Sequence, residues 1–349
     1  MPINVPNNLP AIAELKKENI FVMEQDRAVH QDIRPLRIAL LNLMPVKKVA
    51  ETDLIRSLSN TPMQVELDLL YMDVHESKNT PREHMDVFYK TFEEIRHRKY
   101  DGLIITGDIS EGEDLPKKLR WIAESLSHPI YFVLGNHDFY QGWIERVRQQ
   151  TIYLSRDHSQ LCYLTDAAPI PIDQGVYLLG EDGWGDASEG DYEHSAVHLN
   201  DFRLIEDFRS RDASHWKRQL LERGAESADR LESKLKSLPP DARHLLIATH
   251  VPPFCAACWY EGKTTDENWS PFFVCGQLGK VLAAFAQQRP ECELTVLCGH
   301  THHDGIATIE DNLVVYTGAA EYGQPSTEAT IRADRLGIRI DLTSGSEHP

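Results

Sequence analysis

The chain contains 349 residues, which is enough for one large α/β domain or for two smaller ones. Hydrophobic residues make up 41% and charged residues 26%, proportions that are ordinary for a soluble globular protein and that exclude wholesale disorder. The formal net charge of -18 argues against an extended nucleic-acid-binding surface, because contacts to phosphates need clustered Lys and Arg.

The sequence shows no sign of secretion or of membrane insertion. Residues 1–23 are interrupted by Pro, Asn, Glu and Lys, and no run of about 18 apolar residues occurs. The six cysteines are scattered, and their single C-x-x-C pair, Cys255 and Cys258, has no second pair at zinc-ribbon spacing. We therefore expect a reduced cytoplasmic protein without a signal peptide, in which this pair is structural.

Short apolar runs alternate with amphipathic stretches through the first 150 residues, which is the pattern of an α/β fold. The predicted strands are Leu36–Met44, Val65–Met72, Asp101–Thr106 and Ile130–Leu134. The predicted helices are Glu51–Ser59, Glu83–His97, Leu115–Leu126 and Gln141–Gln150.

The remainder of the chain is richer in predicted strand than in helix. The predicted strands are Gly175–Gly180, His244–His250, Leu294–Gly299, Ile306–Ile309, Leu313–Thr317 and Ile338–Leu342. One long charged helix is predicted over Ser214–Lys236, and the tail Thr343–Pro349 is expected to fray.

Several predicted strands end in residues that bind metals. Asp108, Asn136 and His250 each follow an apolar run, and His300 and His302 follow another. In open α/β sheets ligands bind outside the carboxyl ends of the strands, so these side chains are expected to meet. Oxygen and imidazole donors without thiolates suit two divalent ions such as Mn, Fe or Zn.

In chain order the motifs are Asp73-x-His75, Gly107-Asp108-x-x-Glu111, Gly135-Asn136-His137-Asp138, Thr249-His250 and Gly299-His300-x-His302. This ordered set resembles the signature of the calcineurin-like metallophosphoesterases. The likeness covers about residues 103–335, and possibly begins at residue 64. It implies a four-layer α/β/β/α sandwich that binds two metal ions.

The resemblance also implies roles for individual residues. One ion would be held by Asp73, His75, Asp108 and His302, and the other by Asp108, Asn136, His250 and His300. His137 would stabilise or protonate the leaving oxygen, with Asp138 orienting it. Without the resemblance, His137 also fits a turn-capping histidine. His303 fits an extra ligand, a substrate contact or an exposed loop position, and the loop of Asp182, Trp184 and Asp186 fits either a pocket-lining or a plain loop.

The N-terminal part of the chain resembles a different family. The segments Met1–Leu9, Glu18–Val22, Ile33–Pro45, Lys78–His84 and Tyr100–Gly107 are similar to the start of homoserine O-succinyltransferase or acetyltransferase. The likeness implies a flavodoxin-like or Rossmann-like βα segment. We accordingly predict an acyltransferase-like segment over residues 1–63, a metallophosphoesterase domain over 64–342 and a tail over 343–349.

Two features separate the chain from an active acyltransferase and from a complete metal centre. The acyl-accepting Cys of that family would lie where this chain has Leu134-Gly135-Asn136, so no nucleophile is present there. In the transferase-like strand order, Leu36–Met44 lies between Val65–Met72 and Asp101–Thr106, which would separate Asp73 from Asp108 by about 10 Å. Asn42 would then occupy the place expected for the first Asp.

The sequence thus favours a metal-dependent phosphoesterase that hydrolyses a phosphate monoester or diester with water activated between two metal ions. The expected substrate is a small-molecule or nucleotide-like phosphoester. Two alternatives stay open: a homoserine O-acyltransferase, disfavoured by the missing Cys, and a non-catalytic metal-binding pseudo-enzyme.

Overall fold

The structure, a computed structural model, describes residues 100–209, 213–319, 327–334 and 337–342, together with the backbone of four short strands before residue 71. The predicted helices Glu51–Ser59 and Glu83–His97 and the tail Thr343–Pro349 lie outside the described residues. Near the N-terminus, β1 (Ile3–Asn4) and β2 (Val22–Met23) form a small parallel pair.

A mixed sheet of seven strands, here the first sheet, is assembled in the described part of the chain in the order β17-β16-β4-β3-β5-β6-β7. Its strands are β3 (Leu36–Leu41), β4 (Val65–Leu70), β5 (Gly102–Thr106), β6 (Ile130–Val133), β7 (Leu161–Tyr163), β16 (Thr327–Asp334) and β17 (Gly337–Leu342). Five of these strands run parallel to one another: β4, β3, β5, β6 and β7. The strand β16 runs antiparallel to its neighbours β17, β3 and β4.

The second sheet contains six strands among the described residues, in the order β14-β15-β13-β10-β9-β8. They are β8 (Ile170–Asp173), β9 (Val176–Glu181), β10 (His244–Thr249), β13 (Glu293–Cys298), β14 (Gly305–Glu310) and β15 (Leu313–Thr317). A separate hairpin pairs β11 (Trp259–Tyr260) with β12 (Lys263–Thr264).

The two sheets pack face to face and are covered by helices on their outer faces. The helices are α1 (Leu115–Ser125), α2 (Ile144–Asp157), α3 (Asp201–Leu204), α4 (Ala213–Ser237), α5 (Ser270–Phe273) and α6 (Gly276–Gln288). Apolar residues of both sheets, such as Ile104 and Leu246, form one core between them. Separate cores join α1 and α2 to the first sheet and α4 and α6 to the second. The predicted four-layer α/β/β/α sandwich is therefore confirmed.

Most predicted elements are confirmed with ends shifted by one to three residues, but α2 differs. The expected helix Gln141–Gln150 instead spans Ile144–Asp157. Gln141 has a left-handed backbone, with φ of 61°, and Trp143 is extended, so the helix cannot begin before Ile144. The helix α6 and the strands β7, β8 and β16 were not predicted.

The strand order confirms the arrangement expected from the transferase-like segment. The strand β3 pairs along its whole length with β4, and Leu41 at its end pairs with Ile105 of β5. One strand therefore separates β4 from β5. Since β3 and β4 belong to the same sheet as β5 and β6, the transferase-like strands share one layer with the strands that precede Asp108 and Asn136.

Among the described residues, no helix is both long and apolar enough to span a bilayer. The cytoplasmic location stays a prediction.

Candidate metal centre

Gly107 and Asp108 make a sharp turn directly after β5. Both have left-handed backbones, with φ of 99° at Gly107 and 51° at Asp108. A Cβ at position 107 would overlap the ring of His250, and a Cβ at Gly135 would overlap the carboxylate of Asp108. Glycine is therefore required at both turns, because only its small size lets the strand-end residues approach one another this closely.

Asp108 is buried at the meeting point of the two sheets. Its Oδ1 accepts a hydrogen bond from the backbone N–H of His137 at 3.0 Å, and its Oδ2 lies 3.4 Å from Nε2 of His250. Burial opposes ionisation of Asp108, but the neighbouring imidazoles of His250, His137 and His300 outweigh it and hold the pKa of the carboxyl below its ordinary value. Asp108 is therefore available as an anionic ligand.

His250 and Asn136 face each other across the interface between the sheets. Nδ1 of His250 donates to the carbonyl oxygen of Thr106 at 2.8 Å, which leaves Nε2 as the outward-facing nitrogen. Nε2 lies 3.1 Å from Oδ1 of Asn136, whose own Nδ2 donates to Oδ1 of Asp201 at 2.9 Å. Both side chains are thus oriented by a second contact, as is typical of metal ligands.

Three ligand atoms converge at this point. Nε2 of His250 lies 3.4 Å from Oδ2 of Asp108 and 3.1 Å from Oδ1 of Asn136. Carboxylate and amide oxygens and imidazole nitrogens are the atoms with which proteins bind divalent metal ions. The donor chemistry therefore fits a divalent metal ion.

His300 completes this group from the end of β13. Its ring lies 5.0 Å from the ring of His250, and its Nε2 donates to the carbonyl oxygen of Phe272 at 3.3 Å, which leaves Nδ1 for a ligand. Burial, followed by repulsion from His250, lowers the pKa of His300 to about 3. The imidazole is thus held in the neutral form that binds metals.

His302 lies on the same loop and is also kept neutral. Burial lowers its pKa to about 4, and its charge interactions with Asp108, His137 and His250 place it beside the group. His300 and His302 have left-handed backbones, with φ of 69° and 66°. Strain of this kind costs about 1–3 kcal/mol at a residue other than glycine and is concentrated at functional sites. It marks three predicted ligands, since Asp108 shares it.

The structure assigns His137 and Asp138 different surroundings from those expected. Nδ1 of His137 is buried without a hydrogen-bond partner, and its ring stacks on Tyr140 with centroids 4.5 Å apart. The two oxygens of Asp138 accept the backbone N–H groups of Ser110 and Gly135 at 2.8 and 2.9 Å. Asp138 therefore ties together the two loops beside the ligands and does not bond to Nδ1 of His137.

Asp201 is a residue of this site that the sequence did not reveal. It begins the short helix α3, is only 4% exposed, and accepts hydrogen bonds from Asn136 and from the Tyr140 hydroxyl at 3.0 Å. Burial raises its pKa. No strand precedes Asp201, so the strand-end pattern that identified the other residues does not apply to it.

The loop after β9 contributes a pocket wall and a buried acid. Trp184 lines a narrow pocket together with Phe202, Asn136 and His300. Asp182 is fully buried and points away from that pocket into hydrogen bonds with other side chains. Of the two readings of this loop, pocket lining holds for Trp184. His303, the other ambiguous residue, packs edge-on against Tyr260 at 4.6 Å.

The remaining predicted ligands, Asp73 and His75, lie outside the described residues, as does Asn42. Asp73 follows β4 by three positions, and β4 is separated from β5 by β3. Within the ranges that the structure describes, no group of three or more His, Cys, Asp or Glu side chains is placed so that it could hold a metal ion. A full coordination shell would need Asn136 or residues from the N-terminal segment.

None of the six cysteines, all of which the structure describes, forms a disulfide bond, and each has a raised pKa because its thiol is buried. Cys162, on β7 beside the loop where an acyltransferase would carry its nucleophile, has a pKa of about 11. A reactive cysteine needs the opposite, a depressed pKa. The protein therefore has no activated thiol for acyl transfer.

The family model of the calcineurin-like phosphoesterases matches residues 73–304. The chain belongs to this family. Its members are hydrolases that act on phosphoric ester bonds, and the described ligand motifs fall inside the matched range.

A second family model, that of homoserine O-succinyltransferase, matches residues 2–121 and overlaps the first. The homoserine O-acetyltransferase of Brevibacillus brevis is 51% identical over 144 residues, which are 39% of this chain and 47% of that protein. The corresponding enzyme of Streptococcus sanguinis is 60% identical over 171 residues, 46% of this chain and 55% of that protein. The chain thus spans about half the length of these curated relatives.

Solved structures to which this chain is similar include a phosphopantetheinyl hydrolase from Mycobacterium tuberculosis, at 14% identity and a TM-score of 0.47. The match covers 67% of this chain and 89% of that one. A dimetal phosphatase from Danio rerio gives the same identity and TM-score and covers 74% and 89% of the two chains.

Proposed function

We propose that this protein is a metal-dependent phosphoesterase that hydrolyses a small-molecule or nucleotide-like phosphate monoester or diester at a binuclear centre. The observation that carries the proposal is the convergence of Asp108, Asn136 and His250 from both sheets, with Nε2 of His250 3.4 Å from the carboxylate of Asp108 and 3.1 Å from Oδ1 of Asn136. Membership of the calcineurin-like family supports the reaction class.

One ion would be held by Asp108, Asn136, His250 and His300. The other ion would share Asp108 and take His302, with further ligands from Asp73 and His75 or from Asn42. When bound, two such ions (Mn, Fe or Zn) supply Lewis acidity, which generates a nucleophile from water at neutral pH and neutralises phosphoryl charge.

The other residues of the site have roles that follow from their contacts. The backbone N–H of His137 bonds to Asp108, and its Nδ1 has no hydrogen-bond partner in the structure. Its ring is the group that would hydrogen-bond the leaving oxygen of the substrate. The stacking of His137 on Tyr140 fixes the plane of the ring. Asp138 keeps the Gly135 turn and the Ser110 loop at a fixed separation, and through them the spacing of Asp108 and Asn136.

The test is hydrolysis of an aryl phosphate and of a bis-aryl phosphodiester by protein that has been stripped with a chelator and reloaded with Mn²⁺. We expect activity to disappear on stripping, to return on reloading, and to be absent in Asn136→Ala. Metal content is measured in parallel. Purified protein that binds Mn²⁺ but hydrolyses neither ester would instead support the non-catalytic alternative.

The acyltransferase alternative is examined with the same preparation. The raised pKa values of the cysteines and the absence of a nucleophile at the β6 loop predict no acyl transfer from succinyl-CoA or acetyl-CoA to homoserine. Acyl transfer that survives alkylation of the thiols would reverse the ranking of the two functions.

A further inference from the structure

Asn136 and His300, two ligands proposed for the same ion, come from different sheets. Asn136 follows β6 of the first sheet, whereas His300 follows β13 of the second. Their relative position therefore depends on what holds the two strand-end loops together. The segment of residues 183–209, here the cap segment, contacts the regions behind both loops.

On the first-sheet side, the cap segment is bonded to the chain that follows Asn136. The backbone N–H of Gln141 donates to the carbonyl oxygen of Leu204 at 2.7 Å, and that of Glu206 donates to the carbonyl oxygen of Gly142 at 3.0 Å. Asp201 then reaches the ligand itself, accepting from Nδ2 of Asn136 at 2.9 Å. Because Nδ2 is engaged, Oδ1 of Asn136 must face His250.

On the second-sheet side, the cap segment is bonded to the stretch that carries α5. Backbone N–H groups of Asp186, Ala187 and Asp191 donate to carbonyl oxygens in residues 267–274 at distances of 2.7 to 3.1 Å. The same stretch contains Phe272, whose carbonyl oxygen accepts from Nε2 of His300. The orientation of His300 is thus also set by a group that the cap segment holds.

An aromatic cluster joins the two sides of the cap segment. Phe202, next to Asp201, stacks on Trp216 of α4 at 4.5 Å and meets Phe208 and Phe272 edge-on at 5.7 and 5.9 Å. Asp201 is therefore held by rigid, buried neighbours. A carboxylate fixed in this way orients an amide far better than a mobile one would, because little entropy remains to be lost.

We propose that Asp201 is a positioning residue of the metal centre, through which the cap segment fixes the amide of Asn136 and so sets the affinity for one of the two ions. This inference rests on the proposed function, because it requires Asn136 to be a ligand. Asp201 does not bind the ion itself; it holds Oδ1 of Asn136 toward His250. Without it, the amide is free to rotate and present its NH₂ group.

The experiment is a titration of chelator-stripped full-length protein with Mn²⁺, which gives affinity and stoichiometry independently of turnover. For Asp201→Ala we expect one ion to bind about 10–100-fold more weakly, the usual effect of removing a group that orients a ligand. Asp201→Asn keeps an acceptor oxygen and should bind with an affinity between those of Asp201→Ala and the wild type. Thermal unfolding of each stripped variant is recorded as a check on folding.

Asp207→Ala is the matched control. Asp207 lies on the same segment, and its Oδ2 accepts the backbone N–H of Ile144 at 2.8 Å, away from the ligands. We expect this variant to lose a similar amount of thermal stability but to keep wild-type metal affinity. Equal weakening in Asp207→Ala and Asp201→Ala would overturn the proposal, since general loosening of the segment would then explain both.

The outcomes separate this inference from the function on which it rests. Wild-type protein that takes up no Mn²⁺ refutes the metal centre and the positioning role together. Wild-type protein that binds two ions, alongside an Asp201→Ala variant of unchanged affinity, refutes only the role of Asp201.

Discussion

Two buried aspartates follow parallel strands at the same edge of the sandwich and have opposite surroundings. Asp182, after β9, accepts hydrogen bonds from Leu134 N–H, Arg148 Nε, the Tyr163 hydroxyl and the Thr165 hydroxyl. Asp108, after β5, accepts one backbone N–H, and its other oxygen lies 3.4 Å from Nε2 of His250.

The comparison teaches how a structural acid differs from a ligand. The charge of Asp182 is balanced inside the protein by the guanidinium of Arg148, and its backbone is not left-handed. The charge of Asp108 has no permanent cation, and its backbone is strained. A carboxylate on a strained backbone without a permanent cation costs stability, so it points to a function, whereas one whose oxygens are fully hydrogen-bonded points to folding.

The largest expected effect, on catalysis, follows from removing Asp108. Asp108→Ala should lower kcat/KM for phosphate ester hydrolysis at least about a thousandfold, because both proposed ions lose a shared ligand worth several kcal/mol to the transition state. Metal content should fall with it, while the stripped protein remains folded. The check is steady-state kinetics together with metal analysis; retention of both ions would contradict the bridging role.

Removal of Asp182, whose oxygens are fully hydrogen-bonded, should affect stability instead. Asp182→Ala removes the buried acid that bonds to Arg148, only 6% exposed, and leaves that guanidinium only the 3.9 Å contact with Glu226. It is expected to lower the free energy of unfolding by about 3–5 kcal/mol. Urea unfolding measures this. The control is Asp166→Ala, whose partner Arg156 is exposed, and which should cost about 1 kcal/mol or less. An equal loss in the two variants would remove the distinction drawn here.

Substituting the two histidines of the loop after β13 should distinguish the two ion sites. His300→Ala is expected to lower the occupancy of the ion held with Asn136 and His250, and His302→Ala that of the other ion. Each variant should retain one ion per chain when stripped protein is titrated with Mn²⁺. Loss of both ions in either variant would mean that the sites are not independent.

The smallest expected effect concerns the N-terminal segment. Because β3 lies between β4 and β5, Asn42 follows the strand next to Asp108, whereas Asp73 follows a strand one position further away. We therefore expect Asn42→Ala to weaken the ion held with His302 more than Asp73→Ala does, as measured by the same titration. The reverse order would restore Asp73 as the ligand.

Much of the fold could be predicted from the sequence. Continuous apolar runs identified β5, β6, β10 and β13, because strands that are largely buried on both faces need no polar alternation. The helix α6 was missed, and α2 was placed three residues too early, because a left-handed Gln141 gives no compositional signal. The division of the chain at residues 63 and 64 stays a prediction.

The candidate site was predicted in part for the same reason. The predicted ligands each follow a strand: Asp108, Asn136, His250, His300 and His302. A glycine stands directly before three of them, Asp108, Asn136 and His300, and marks the turn after the strand. Asp201 follows no strand, and its contact with Asn136 spans 65 residues of the chain, so no local pattern pointed to it.

The sequence by itself determined which side chains stand at the ends of strands, because hydrophobic runs and the glycines after them are local properties. Only the tertiary structure decided which of those side chains meet. That outcome depends on the order of strands and on the packing of one sheet against the other, and both are set by contacts between residues far apart in the chain. The insertion of β3 between β4 and β5, and the contact of Asp201 in the cap segment with Asn136, are of this kind.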